Sequence, residues 1–256
     1  MTAPTFVNDS LARGLSKQTL EHLVEAAKMC SNAINNYILE AIRAQMAGKS
    51  PAKLANQLRA SISALIEQPC IHGRLVSASA RNFTYVYLMP EIKDEHLVFS
   101  LAIGVINTRR KLVPNHVIPV VEITRHSVER LHQRLNTIDF DDVYCEIGTI
   151  AMMAPSMQLA AREIGARQWA LPSGSGLFVA VPGGQEYLTT LVTWIPFDDS
   201  LSPKWSRLMA DLQAVPELDD FSIRLRPELV EILSRHRWLK EPYEPHPEPP
   251  FRPGHL

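Results

Sequence analysis

From Ser16 to about Met46 apolar residues return at three- and four-residue steps: Leu20, Leu23, Val24, Ala27, Ile34, Ile38, Ala41 and Ile42. That period predicts an amphipathic helix, with Ser16 in the place of an N-cap. Residues 1–15 are polar and lack the period, so they are expected to form a flexible N-terminus. Gly48 supplies a C-terminal break, and Ser50-Pro51 opens a second helix, to about Glu67. That helix would bury Leu54, Leu58, Ile62, Leu65 and Ile66 and end at Pro69. Residues 16–68 therefore predict a helical hairpin, suited to cover a sheet or to bind a partner.

Beyond it the period changes. "NFTYVYLMP" and "HLVFSLAIGVIN" are rich in aromatic and β-branched residues and flank the polar "EIKDE", which predicts two antiparallel strands. "NHVIPVVEI" is a third strand, with Pro119 pointing to an edge or a bulge. A helix then runs from an N-cap at Thr124 to about Leu135. "TIDFDDVYCEIGTIAMM" predicts another, led by Asp139 or Asp141, and "SMQLAAREIGA" a separate short one ending at Gly165. "GLFVAVP" and "YLTTLVTWIP" flank Gly183-Gly184 and predict a hairpin. "SPKWSRLMADLQAV" and "RPELVEILSRHRWL" are helices opened by a proline at the first position. Residues 69–240 thus read as an α+β domain, a mainly antiparallel sheet with packed helices. The tail, 241–256, holds six prolines and is expected to be disordered. No internal repeat is found.

Composition narrows the class. The chain has 256 residues, 46% apolar and 21% charged, as expected of an ordinary globular protein with one large or two small domains. With 26 basic and 27 acidic residues it is no polycation, so any nucleic-acid site must be a local patch. Cys30, Cys70 and Cys145 are odd in number and far apart, which suits free thiols in a reducing compartment. The start of the chain has no apolar signal core, and the longest apolar runs are about ten residues, too short to span a bilayer. A cytoplasmic protein without a membrane contact is expected.

The candidate chemistry lies in "ITRHSVERLHQRLN". His126, Arg130 and Arg134 are four residues apart, within roughly 80° on a helical wheel, while Val128, Leu131 and Leu135 fall on the other side. Arginine presents a planar fork that donates two hydrogen bonds to a phosphate. Histidine titrates near neutral pH and suits proton transfer. The plain alternative is a solvated face whose arginines pair with Glu122 and Glu129.

The stretch "ITRHSVERLHQRLNTIDFDDVYCEI", followed by "GLFVAVPGGQEYLTTLVTWIP", resembles the nuclease-toxin domains of the barnase–EndoU–colicin–RelE type. The resemblance covers about residues 121–197 and implies helices followed by an antiparallel hairpin. It places His126 on the family's helix histidine, Arg130 and Arg134 on its helix arginines, and Thr193 on the threonine near the end of the last strand. Ser127 stands where the family usually has alanine, and Asn136 to Leu171 is a long insertion. The activity it implies is metal-independent RNA cleavage without a cofactor. His126 would be the general acid or base, Arg130 and Arg134 a charge clamp, and Thr193 a phosphate donor. The rival expectation is a non-catalytic binding or assembly protein, meeting a protein partner through residues 16–67 and the proline-rich tail.

Other motifs carry less. The run around Gly174, Gly176, Gly183 and Gly184 is neither a dinucleotide fingerprint nor a P-loop, though Ser173 and Ser175 could touch a phosphate. His72, His96, His116 and His132 fall in different elements and predict no metal site. Arg74 and Arg81 beside aromatics, and the basic run Arg109, Arg110 and Lys111, read as strand ends and a solvated turn, or as a path for a phosphate backbone.

Overall fold

The computed structural model describes residues 7–68, 71–78, 82–93, 96–107, 113–184, 188–197, 201–216, 218 and 224–244, with backbone alone at 77, 78 and 113–116. Arg81, Arg109, Arg110, Lys111, Cys70, Pro69, the side chain of His116 and the tail beyond Glu244 lie outside that description.

The first helix, α1, spans Asp9–Met46 and so begins well before Ser16. Its cap is Asn8, whose side chain accepts from the Leu11 amide at 2.9 Å. Val7, Ala12 and Leu15 are buried together beside Phe140, which gives the first turns a core contact that the polar sequence of 1–15 conceals. Ser16 is not a cap. It is buried inside the helix, where its hydroxyl donates to the Arg13 carbonyl at 3.0 Å. Gly48, with φ of +84°, ends the helix in the left-handed region. Helix α2 follows over Pro51–Ile66.

The next four elements form an antiparallel meander: β1 (Gly73–Ala78), β2 (Asn82–Lys93), β3 (His96–Asn107) and β4 (Val113–Ile123). Pro119 does sit at a bulge: the β3–β4 register passes from Phe99 opposite Val121 to Ser100 opposite Pro119. The chain continues through α3 (Arg125–Leu135) and α4 (Phe140–Glu163) to the strands β5 (Trp169–Pro172), β6 (Gly176–Pro182) and β7 (Thr189–Pro196). Helices α5 (Pro203–Gln213) and α6 (Pro227–Arg235) and a 3-10 turn (Arg237–Lys240) close the described chain. All described strands belong to one seven-stranded sheet in the order β1-β2-β3-β4-β7-β6-β5. Every neighbouring pair is antiparallel except β4 and β7. The protein is α+β, with a mostly antiparallel sheet and helices packed on it.

Alternation along β2 sorts two cores. Phe83, Tyr85 and Tyr87 face the α1–α2 hairpin, with Ile34, Ile62 and Ile66. Val86 and Leu88 face the larger core, shared with α3, α4, α5, α6 and the β5–β7 strands. Leu20 and Leu23 of α1 belong to that larger core too, so the first half of α1 is part of the domain's packing.

Two expectations fail for one reason. "TIDFDDVYCEIGTIAMM" and "SMQLAAREIGA" are a single 24-residue helix, α4, that continues through Pro155. A proline inside a helix costs about 3 kcal/mol. Here it is offset by burial on nearly all sides, including Ile147, Ile150, Ala151, Met153, Ala154 and Met157. The four residues of β5 are likewise all buried, which leaves no alternation to read. The start of the tail is also docked. Gln168 Nε2 donates to the carbonyls of Glu241 at 3.1 Å and Pro242 at 3.5 Å, and Tyr243 packs on the larger core, where burial raises its hydroxyl pKa. Among the described residues no helix is long and apolar enough to cross a membrane.

In the N-terminal half of α4, Gly148 has no room for a side chain. The ring of His72, a residue with φ of +48°, occupies the place a Cβ on Gly148 would need, 1.8 Å from its Cε1. Gly148→Ala is therefore expected to destabilise the protein by about 1–3 kcal/mol, the usual cost of overpacking. Urea unfolding of the two proteins measures it, and equal midpoints would contradict this packing.

Candidate functional site

Helix α3 is held against β7 by its own first turn. Thr124 is its N-cap, as expected, and its side chain accepts from the Ser127 amide at 3.2 Å. The Ser127 hydroxyl donates to the Leu191 carbonyl at 2.9 Å, and the Thr124 hydroxyl reaches the same oxygen at 3.3 Å. Ser127 is fully buried, so its hydroxyl gives this position a role that alanine cannot fill. Val128 and Leu131 enter the larger core at 0% exposure. At the other end Arg134 donates through Nη1 to the Trp194 carbonyl. The helix thus runs along β7 from Leu191 to Trp194.

The opposite face carries the cationic residues. His126 and Arg134 are exposed and Arg130 is half-buried between them. Arg130 Nε donates to His126 Nε2 at 3.5 Å, and its Nη1 donates to Gln133 Oε1 at 2.7 Å. An arginine can only donate, so His126 Nε2 is here the acceptor. Gln133 in turn donates to Asp9 Oδ1 at 2.6 Å. Thr193 is half-buried on β7, paired with Val179 and immediately before Trp194. The three helix residues share one face, and Arg134 reaches the strand beside Thr193. Among the described residues the Thr193 hydroxyl makes no hydrogen bond to α3.

The acids expected to neutralise this face are engaged elsewhere. Glu129 pairs with Arg125 at 3.1 Å. Glu122 accepts from the Thr190 hydroxyl at 2.9 Å, and His96 Nδ1 lies 3.1 Å from its other oxygen, without the alignment of a hydrogen bond. This His96–Glu122–Thr190 array crosses three strands. No sequence pattern announces it, because only the β4–β7 register sets Glu122 opposite Thr190.

The serines after β5 are not free for a phosphate. Ser175 gives both its amide (2.9 Å) and its hydroxyl (2.5 Å) to Oε1 of Glu146, a buried residue of α4. Ser173 accepts from Trp194 Nε1 at 3.1 Å and donates to the Gly176 carbonyl at 3.0 Å. This loop is a structural clasp between α4 and β6.

His132, two residues after Arg130 on α3, belongs to the core. It is fully buried, with Nδ1 at 3.0 Å from the Thr137 carbonyl and Nε2 at 2.9 Å from Thr19 Oγ1 of α1. The carbonyl only accepts, so Nδ1 carries the proton. Burial lowers the pKa of this ring, and the Thr19 hydroxyl that meets Nε2 also donates to the Leu15 carbonyl at 2.9 Å. Among the described residues no group of three or more His, Cys, Asp or Glu side chains could hold a metal ion. Cys30 is a buried and Cys145 an exposed free thiol.

None of the family models, curated proteins or solved structures with which the chain was compared matches it.

Two histidines set an acid limit. Burial lowers His72 to about 4, opposed by a hydrogen bond to the Tyr144 backbone, and His132 moves in the same direction. In the unfolded chain both protonate near 6.5. Between that value and the folded pKa the unfolded state binds more protons, so stability falls as pH falls. From pH 7 to pH 5 His72 alone is expected to remove about 2 kcal/mol. His72→Asn cannot titrate and tolerates the left-handed backbone. Its urea midpoint should drop less than that of the wild type over this interval, and parallel drops would contradict the assignment.

Proposed function

We propose that this protein is a toxin-like, metal-independent endoribonuclease or a relative of one, with His126, Arg130, Arg134 and Thr193 as its site. The observation that carries the reading is the placement of α3. Its cationic face is turned outward along β7, its acidic neighbours are paired elsewhere, and Arg134 is bonded to the strand next to Thr193. The resemblance of residues 121–197 to nuclease-toxin domains supports the same four residues.

The chemistry asks little of these groups beyond position. The His126 ring, with Nε2 as acceptor, takes the proton of a ribose 2′-OH as that oxygen attacks the adjacent phosphorus; the 5′-oxygen leaves with the electron pair of the broken P–O bond and takes a proton from water. The long Arg130 bond to Nε2 yields to the substrate. Arg130 and Arg134 then face the negative charge gathering on the phosphoryl oxygens, and Thr193 donates to one of them. The need for a 2′-OH restricts the substrate to RNA.

On this reading His126→Ala should lower the cleavage of an RNA oligonucleotide by about 10²–10⁴-fold without loss of stability, since the ring is exposed. Arg130→Lys should also impair cleavage, because a point charge cannot reproduce the fork. Val128→Asp should unfold the protein, since it places a charge at a fully buried position. Rates and melting temperatures of the three variants test this ordering. A wild-type rate for His126→Ala would falsify the assignment.

One observation favours a second reading, a binding or assembly protein. The distal half of α1 exposes Met29 at 62%, Leu39 at 50%, Ile42 at 38% and Met46 at 84%. For the ribonuclease, Leu39→Glu with Met46→Glu should leave RNA cleavage unchanged. If the wild type cleaves no RNA and this double variant alters its sedimentation, the assembly reading holds instead.

A further inference from the structure

We infer that Asp9 and Gln133 are positioning residues of the α3 site, so that the first turn of α1 sets the orientation of Arg130. The inference rests on the ribonuclease reading and adds two residues that no motif in the chain points to.

The argument follows the hydrogen bonds outward. His126, Arg130 and Gln133 lie on one stripe of α3, at i, i+4 and i+7. Arg130 is a long side chain on a half-exposed surface, and without partners it would sample many rotamers. Gln133 Oε1 holds Nη1 at 2.7 Å, and that bond turns Nε toward His126 at 3.5 Å. An amide has two faces, and Gln133 can present either its oxygen or its NH2 to Arg130. The NH2 would meet the guanidinium donor to donor. What selects the oxygen is Asp9: its carboxylate only accepts, and it takes Gln133 Nε2 at 2.6 Å.

The carboxylate is itself fixed. Asp9 is the first residue of α1, directly after the Asn8 cap. Three further contacts seat this end of α1 on α3. The Val7 amide donates to Asn136 Oδ1 at 3.0 Å, Arg125 Nη2 donates to the Arg13 carbonyl at 3.3 Å, and Thr19 meets His132 at 2.9 Å. Asp9 therefore reaches Gln133 from a rigid base. A carboxylate in a first helical turn also favours the helix dipole, a purely structural role that the test has to separate from this one.

The experiment uses the full chain with Gln133→Met, Asp9→Ala and Asp9→Asn. Four quantities are read: kcat and KM for an RNA oligonucleotide, the hydrogen-exchange rate of Arg130 Nε–H by NMR, and the melting temperature. Gln133→Met is expected to lower kcat about tenfold, the rate equivalent of one lost hydrogen bond, with KM little changed and Arg130 Nε–H exchanging faster. Asp9→Ala should do the same. Asp9→Asn keeps an oxygen in place for Gln133 and should recover most of the rate, although it loses the charge that a dipole effect requires. If Asp9→Asn and Asp9→Ala are equally impaired, or if Gln133→Met leaves both kcat and Arg130 exchange unaltered while the wild type cleaves RNA, the relay is overturned and the ribonuclease reading stands. If the wild type cleaves no RNA, that reading falls and the positioning role falls with it.

Discussion

Three residue pairs hold the two halves of this sheet together: Val121, Glu122 and Ile123 of β4 beside Thr189, Thr190 and Leu191 of β7. The pairing is parallel, in a sheet that is otherwise antiparallel, and it joins the β1–β4 meander to the β5–β7 strands. Parallel neighbours need a long crossover. Here the crossover contains α3 and α4, so the pairing that closes the sheet also delivers the candidate site. The Leu191 carbonyl sits at the junction. It receives the Thr124 amide at 3.5 Å and the hydroxyls of Thr124 and Ser127, so one oxygen ends the strand pairing and seats the helix cap. That contact fixes the start of α3 against β7, and Arg134 on the Trp194 carbonyl fixes its end.

The polar groups in the core are arranged to keep this junction rigid. Gln158, buried on α4, donates to the Leu188 carbonyl at 3.0 Å just before β7 begins. Glu146 clasps the loop ahead of β6, and His132 ties α3 to α1 and to Thr137. A buried polar group left without a partner costs about 1–3 kcal/mol, so each of these side chains favours one arrangement of its neighbours over any other. The consequence for function is division of labour on α3. Its inward residues, Ser127, Val128, Leu131 and His132, fix position. Its outward residues include His126 and Arg134, with Arg130 half-buried between them.

Charge is distributed to the same effect. Glu122 and Glu129 lie close in sequence to the cationic stripe, and simple proximity would make them its counter-ions. The β4–β7 register takes Glu122 to Thr190, and helical spacing takes Glu129 to Arg125. Arg130 donates to the neutral amide of Gln133.

Much of the fold was legible because it is written in short-range order. The 3.6 period of α2, the aromatic and β-branched runs of β2 and β3, the prolines opening α5 and α6, and the Thr124 cap are all properties of neighbours in sequence, and the structure places those elements where the pattern does. So is the segregation of His126, Arg130 and Arg134 from Val128 and Leu131, which any helix over those residues must produce. Where burial is complete the pattern disappears. The long α4, apolar on nearly every side, looked like two helices around Pro155, and the four buried residues of β5 looked like none. The start of α1 was hidden for the opposite reason: its residues are polar, and only the packing of Val7, Ala12 and Leu15 beside Phe140 makes them helical. Sequence alone determined which side chains share a face. Tertiary structure decided what those faces meet: Arg134 on the Trp194 carbonyl beside Thr193, Glu122 opposite Thr190, Asp9 on Gln133. Those partners are brought together by strand order and helix packing, in which the free energy of burying apolar surface is summed over distant segments, and no local pattern encodes that sum.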